Sequence, residues 1–133
     1  DWPSAVEEIV RYRGPIHGTK LLYPTEDVTL HGVKITRGSP CMPILGAANH
    51  DPREFEDPGT FNMKRSPNHH LGFGFGPHFC LGRQLALMET RVALERIFTR
   101  YPNLRVDESG GPPQLAKMPG WHRHLSLPVF LDA

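Results

Sequence analysis

The chain has 133 residues, two cysteines and a formal net charge of +1. This length fits one domain at most, and such a domain buries about two-thirds of its unfolded surface. The Lys and Arg residues are scattered and no run of about 18 apolar residues occurs, so we expect neither a nucleic-acid partner nor a membrane span. Two cysteines do not make a disulfide framework, and we therefore expect a reducing compartment, the cytoplasm.

The first predicted element is a helix that ends at about Arg13. Residues 4–7, Ser-Ala-Val-Glu, have the pattern of a capping box, and Pro3 stands directly before them. Gly14 and Pro15 follow the helix and stop it.

Two charged residues, Glu8 and Arg11, lie three apart on this helix, away from the apolar stripe of Val6, Ile9 and Val10. Residues at that spacing are neighbours on a helix surface. By spacing alone, the pair is an exposed ion pair that contributes about a few tenths of a kcal/mol.

Residues 28–35 predict a β-hairpin. Two short β-favouring runs, 28–30 and 33–35, flank His-Gly, and Gly32 can take the positive φ of a two-residue turn. This register puts Val28 opposite Ile35 on one side of the hairpin. The next apolar run, 38–45, contains two prolines that argue against a central strand, and its cysteine is interpreted as a packing residue.

Turn signals occupy residues 49–52 and 57–59. From Leu81 to about Tyr101 the apolar residues recur with helical spacing, which predicts a long helix. A Gly- and Pro-rich loop at 109–113 follows, and the alternation over 124–129 favours a final strand.

Residues 73–82, Phe-Gly-Phe-Gly-Pro-His-Phe-Cys-Leu-Gly, are the most informative segment. Their glycines allow the backbone to approach a flat cofactor closely, because no Cβ intervenes. The helix predicted next presents free N–H groups and the positive end of its dipole to Cys80, and both favour a thiolate. A thiolate is the form of cysteine that binds a metal.

This segment resembles the haem-binding loop of the cytochrome P-450 superfamily, the haem-thiolate monooxygenases, in which Phe, Gly, Cys and Gly recur at the spacing of Phe73, Gly76, Cys80 and Gly82. The resemblance implies haem b as the cofactor and Cys80 as the axial ligand of its iron. It also implies that His78 contacts a haem propionate. Further cofactor contacts are implied for Phe73, Gly74 and Gly82.

The resemblance runs from about Trp2 to Val129, most like soluble bacterial members, and implies an α+β fold. It corresponds to the C-terminal part of the mainly helical P-450 fold: a Glu-x-x-Arg helix, small hairpins, a meander, the cysteine loop, a long helix and terminal strands. Residues 1–133 are therefore expected to form a single partial domain, with the N-terminal part of the family absent. By the same resemblance Glu8 and Arg11 form a buried structural pair, which Arg65 joins.

Two positions near the first helix bear on cofactor and substrate. Many bacterial members carry a propionate-binding Arg where this chain has Leu22, and Lys20 is a candidate substitute. Ile16 and His17 match a substrate-contacting stretch of the family, although an ordinary loop explains them equally well. In the meander, His50 takes a place usually held by Arg.

The leading functional hypothesis is the haem-binding part of a monooxygenase. Such an enzyme inserts one oxygen atom from O₂ into a small apolar organic substrate, with electrons from a ferredoxin or another donor. The alternative is a truncated, inactive haem-binding fragment or module. A third interpretation is a zinc site of His69, His70, His78 and Cys80, whose spacing matches no common zinc pattern.

Overall fold

The computed structural model describes residues 1–131. Its α-helices are α1 (Trp2–Arg13), α2 (Leu45–Ala48) and α3 (Arg83–Arg100), and a 3₁₀ helix covers Gly76–His78. Its strands are β1 (Val28–Leu30), β2 (Val33–Ile35), β3 (Arg105–Val106) and β4 (Val129–Phe130).

Helix α1 begins earlier than the sequence pattern suggested. Its N-cap is Asp1 and it has no side-chain capping bond, so the capping box predicted at residues 4–7 is wrong. Ser4 Oγ instead donates to the carbonyl of Met63 at 2.6 Å, because a distant loop covers the first turn. The helix ends as expected, where Gly14 donates to the carbonyl of Val10 at 3.1 Å.

The first hairpin has the predicted register. Strands β1 and β2 pair antiparallel, with Val28 opposite Ile35 and Leu30 opposite Val33. His31 and Gly32 have φ values of 49° and 79°, as a type I′ turn requires. The hairpin prediction is therefore confirmed.

Residues 38–45 form no regular strand, as their two prolines indicated, and the final strand is shorter than the sequence pattern suggested. Over residues 38–45 the structure has only an isolated bridge between Leu22 and Cys41, followed by α2, which the pattern did not predict. The final strand covers Val129–Phe130 rather than 124–129, and it pairs with Arg105–Val106. Two prolines in the first segment and one in the second remove backbone donors, which limits pairing in both places.

The long helix α3 begins at Arg83, two residues after the predicted start, because Leu81 and Gly82 form the turn that leaves the cysteine loop. Helix α1 packs against both α2 and α3. The buried apolar core is small and consists of Ala5, Val6, Leu45 and Phe55. Much of the apolar face of α3 is between 41% and 54% exposed, as at Leu85, Met88, Val92, Ile97 and Phe98.

Among residues 1–131, no helix combines the length and the apolar character that crossing a membrane requires.

Candidate functional site

The loop that carries Cys80 is closed by its own backbone. The Cys80 N–H donates to the carbonyl of Phe73 at 2.9 Å, and the Gly74 N–H donates to the carbonyl of Leu71 at 2.8 Å. Gly74 and Gly76 both have φ of 78°, in the left-handed region where a Cβ is strained. Glycine at these two positions therefore allows the chain to turn twice and bring Cys80 back beside Phe73.

The thiol of Cys80 is exposed and borders an apolar cleft of about 360 Å³. Aliphatic and aromatic side chains, together with Gly72 and Gly74, form much of the cleft wall. The apolar members of that wall include Val10, Ile16, Leu45, Phe73, Ala86 and Leu87. A soft sulfur ligand among apolar groups fits one face of a flat, largely apolar metal cofactor such as haem.

The start of α3 adds an electrostatic contribution beside this sulfur. Gly82 is the N-cap of the helix, and the Arg83 N–H donates to the carbonyl of Cys80 at 3.3 Å. A Cβ at Gly82 would lie 3.9 Å from the Cys80 sulfur, so the sulfur sits against the first turn. The positive end of a helix dipole stabilises a negative charge placed beside it, so the first turn of α3 is a suitable neighbour for a negatively charged metal ligand.

The residues of the cysteine loop differ from one another in their exposure to solvent. His78 ends the 3₁₀ helix and is exposed, as are Phe75 at 86% and Leu81 at 100%. Phe73 is half-buried, and the guanidinium of Arg83 lies 5.7 Å from its ring centroid. The tip of the loop is thus open, whereas its base at Phe73 is packed.

Glu8 and Arg11 form a buried, bidentate ion pair. Arg11 Nε donates to Glu8 Oε2 and Arg11 Nη2 donates to Glu8 Oε1, both at 2.8 Å, and both side chains are 0% exposed. Arg65 Nε reaches the same carboxylate at 3.2 Å to Oε2, and its side chain is 8% exposed. The surface pair that the i,i+3 spacing alone suggested is absent, because residues 49–68 fold over this face of α1.

These arginines also hold the loop that surrounds them. Arg11 Nη1 donates to the carbonyls of Asn49 at 2.8 Å and Pro58 at 2.9 Å. Arg65 Nη1 donates to the carbonyl of Glu56 at 2.7 Å. Both guanidinium groups lie near the buried ring of Phe55, at 5.3 Å for Arg11 and 6.0 Å for Arg65. Two cations therefore shape the turn-rich segment, Arg11 from the distant helix α1 and Arg65 from within the segment itself.

The carboxyl of Glu8 is held ionised by its partners. Burial by itself raises the pKa of Glu8, but hydrogen bonds from Arg11, from the backbone of Asn62 and from Arg65 outweigh that effect, so the pKa lies below its usual value.

Two residues of this site, Asn49 and Asn68, were not predicted from the sequence. The Asn49 side chain is buried and its Oδ1 accepts from the Leu71 N–H at 2.7 Å, although the sequence indicated only a turn there. Asn68 Nδ2 donates to Glu8 Oε2 at 3.2 Å. Neither contact has a local signal in the sequence, because the partners are 22 and 60 residues apart.

The two candidate substrate residues lie in different surroundings. Ile16 borders the same cleft as Cys80 and pairs with Trp121 through an isolated bridge. The His17 ring packs against the His122 ring, with centroids 4.5 Å apart. Burial, and then the charge of Arg13, lower the pKa of His17.

The position where many relatives carry a propionate-binding Arg is a backbone-pairing position here. Leu22 exchanges two backbone hydrogen bonds with Cys41, at 2.7 and 2.8 Å, and its side chain is 55% exposed. Lys20, the candidate substitute, is also exposed.

Within residues 1–131, no three His, Cys, Asp or Glu side chains come together in a group that could hold a metal ion. A zinc site built on His69, His70, His78 and Cys80 therefore finds no support in the structure.

The comparisons with known proteins agree with the fold and with the cysteine loop. The family described as Cytochrome P450 matches residues 3–126 of the chain. The chain belongs to the cytochrome P450 family, and this membership implies a haem cofactor.

Curated relatives include the polyketide biosynthesis cytochrome P450 PksS of Bacillus subtilis, which is 39% identical over 97% of this chain and 32% of the relative. Mycinamicin IV hydroxylase/epoxidase of Micromonospora griseorubida is 48% identical over 78% of this chain and 26% of its own length. The chain thus spans about a third or less of the curated relatives it matches.

Solved structures are similar over almost the whole chain. The structure of PksS from Bacillus subtilis superimposes with a TM-score of 0.93 at 38% identity and covers 99% of this chain and 34% of that one. CYP154A1 from Streptomyces coelicolor gives a TM-score of 0.92 at 38% identity, over 98% of this chain and 33% of that one. The expected fold, a C-terminal portion of the P450 fold with small antiparallel sheets, is confirmed.

Proposed function

We propose that residues 1–133 form a single partial domain, the haem-thiolate region of a P450 monooxygenase that inserts one oxygen atom from O₂ into an apolar organic substrate. The observation that carries this proposal is the exposed Cys80 thiol at the end of a glycine loop, bordering an apolar cleft and seated on the first turn of α3.

Cys80 is the proposed axial ligand of haem b. When bound, a thiolate-ligated haem supplies iron that can activate O₂, because the sulfur pushes electron density onto the metal. The chain contributes the negative sulfur, the helix dipole that stabilises it and an apolar wall that excludes water.

The neighbours of Cys80 are proposed to orient the cofactor. Phe73 and Gly74 line the cleft, and Gly82 leaves the space beside the sulfur free of a side chain. His78, two residues before the ligand, is exposed and is the proposed donor to a propionate. Lys20 is a second candidate donor, since Leu22 has no polar side-chain atom.

Glu8, Arg11 and Arg65 are proposed to have a structural role. They tie α1 to the segment that precedes the cysteine loop, through buried charge-assisted hydrogen bonds. These residues do not contact the reacting atoms and act by holding the surrounding backbone.

Ile16 is the proposed substrate contact of this chain, because it matches a substrate-contacting stretch of the family and borders the cleft proposed to hold the haem. His17 is a weaker candidate, since its ring packs against His122. The proposed substrate is a small apolar organic molecule, and the relatives named for polyketide biosynthesis and mycinamicin hydroxylation support an organic substrate. A ferredoxin or another electron donor completes the reaction, and we propose a cytoplasmic location.

The absorption spectrum of the reduced, CO-bound protein tests the ligand assignment. The haem-loaded protein is expected to show the band characteristic of a thiolate ligand, and Cys80→Ser is expected to lose it, because a hydroxyl does not replace a thiolate on iron. Cys41→Ser is the matched control, since Cys41 is half-buried and pairs through its backbone with Leu22. A thiolate band that survives Cys80→Ser contradicts the assignment.

A haem-binding module without turnover is the second candidate function. The exposed apolar face of α3 favours this candidate, because the described residues leave much of that face open to solvent. Substrate-dependent O₂ consumption with a surrogate electron donor separates the two candidates, because a non-catalytic module shows the thiolate band without product formation.

A further inference from the structure

A single carboxylate, that of Glu7, holds both ends of the cysteine loop. Glu7 lies on α1, and the sequence pattern had assigned it to a capping box that the structure does not contain. Its Oε2 accepts from His70 Nε2 at 2.8 Å, and its Oε1 accepts from Arg83 Nη2. His70 stands three residues before Phe73 and Arg83 three residues after Cys80, so the two bonds lie on the two flanks of the loop.

The His70 ring is fixed by a second hydrogen bond. The Gly72 N–H donates to His70 Nδ1 at 3.1 Å, so Nε2 carries the proton that is donated to Glu7. The His70 side chain is 4% exposed, whereas those of Glu7 and Arg83 are 26% and 28% exposed. Water therefore competes little for the histidine bond and only partly for the arginine bond.

The two flanks also meet at Phe73. The centroids of the His70 and Phe73 rings are 6.0 Å apart, and the Arg83 guanidinium lies 5.7 Å from the centroid of the Phe73 ring. The carbonyl of Phe73 accepts the Cys80 N–H. A displacement of either flank is therefore transmitted to the backbone that carries the sulfur.

We propose that Glu7 is a positioning residue for the haem ligand, acting through His70 and Arg83. This inference rests on the proposed function, because it takes Cys80 as the ligand. The Glu7 carboxylate binds His70 in the segment before the loop and Arg83 in the helix after it. These two bonds limit how far the Cys80 sulfur can move away from the haem. Glu7 touches neither substrate nor cofactor in this proposal.

The test is the rate at which the reduced, CO-bound protein loses its thiolate band on mild warming, measured in the haem-loaded protein. Glu7→Ala is expected to raise this rate about tenfold, which is equivalent to about 1.4 kcal/mol. Glu89→Ala is the matched control, because Glu89 is an exposed carboxylate of α3. The control is expected to keep the rate of the unmodified protein.

Conservative variants separate positioning from general stability. His70→Gln keeps an N–H that can reach the carboxylate, whereas His70→Ala removes it. The first is therefore expected to retain a slow rate. The second is expected to show part of the effect of Glu7→Ala, which also removes the bond from Arg83. In the double variant Glu7→Ala with His70→Ala, the two effects are expected not to add, because Glu7→Ala by itself already removes the bond between Glu7 and His70. Full additivity of the two effects overturns the proposal.

Two outcomes separate this inference from the function on which it rests. If the unmodified protein lacks a thiolate band, the proposed function fails and the inference fails with it. If that band is present and Glu7→Ala changes the rate by less than about threefold, the inference alone is wrong. Should Glu7→Ala not bind haem, Glu7→Gln decides by the same criterion, since its amide keeps one acceptor oxygen.

Discussion

Asn49 and Leu71 are joined by a hydrogen bond of 2.7 Å from the backbone N–H of Leu71 to the buried side-chain oxygen of Asn49. The bond ties the residue after α2 to the segment that enters the cysteine loop. The carbonyl of Asn49 also accepts from Arg11 at 2.8 Å. Asn49 thus connects the buried ion pair with the loop through its side chain and its backbone.

Asn49→Ala is expected to lower the free energy of unfolding by about 1–3 kcal/mol, because the Leu71 N–H loses its acceptor. Denaturant titration measures the loss. Asn62→Ala is the matched control, since the Asn62 side chain accepts a solvent-exposed hydrogen bond from the Lys64 N–H at 3.0 Å. The control is expected to change the free energy of unfolding by about 0.5 kcal/mol or less. Equal losses in both variants would contradict a special role for Asn49.

Removing one member of the buried ion pair has a larger predicted cost. Glu8→Ala is expected to destabilise the protein by about 3–5 kcal/mol, because the Arg11 guanidinium remains buried without its carboxylate. Lys34→Ala serves as the control, since its ion pair with Asp27 is 65% and 51% exposed. That control is expected to lose about 0–1 kcal/mol. A Glu8→Ala variant as stable as the control would show that the pair contributes no more than a surface pair.

The close packing of α1 against the cysteine loop can be tested at Gly72. A Cβ there would lie 2.4 Å from Val10 Cγ1, so Gly72→Ala is expected to cost about 1–3 kcal/mol of stability. Val10→Ala removes the obstructing methyl group, and the double variant is expected to be more stable than the sum of the single losses predicts. Gly59→Ala is the control, because no atom lies within 4 Å of a Cβ at that position. Strict additivity at Gly72 and Val10 would contradict the steric account.

Stability should fall in mild acid because of two packed histidines. Burial is the largest cause that lowers the pKa of both His17 and His122 below the ordinary value of 6.5, and the charge of Arg13 lowers both further. Below pH 6.5 the unfolded chain binds protons on these rings before the folded protein does, so the free energy of unfolding decreases as the pH falls. Above that pH both states are neutral at these rings and the contribution is constant.

His122→Gln is expected to flatten this pH dependence, because it removes one titrating ring and its effect on His17. His31→Asn is the control, since His31 is exposed in the hairpin turn with φ of 49°, a conformation that Asn tolerates. The measurement is a series of denaturant titrations from pH 8 to about pH 5. An unchanged slope in His122→Gln would contradict the assignment.

The local elements of this chain were predictable because their signals lie within a few residues. The hairpin register follows from alternation around His31 and Gly32, and the structure reproduces it pair by pair. The predicted ends of α1 and α3 differ from the observed ends by about two residues, because distant loops provide contacts that replace local capping.

By itself, the sequence determined the family, the cysteine loop and the positions of the two long helices, because spacing within a short segment sets turns, helical periodicity and the motif around Cys80. Only the tertiary structure decided that Glu8 and Arg11 are buried, and that Glu7 binds His70 and Arg83 instead of capping its own helix. The physical reason is that burial and the choice among hydrogen-bond partners depend on residues brought together from 38 to 76 positions away, which no local pattern encodes.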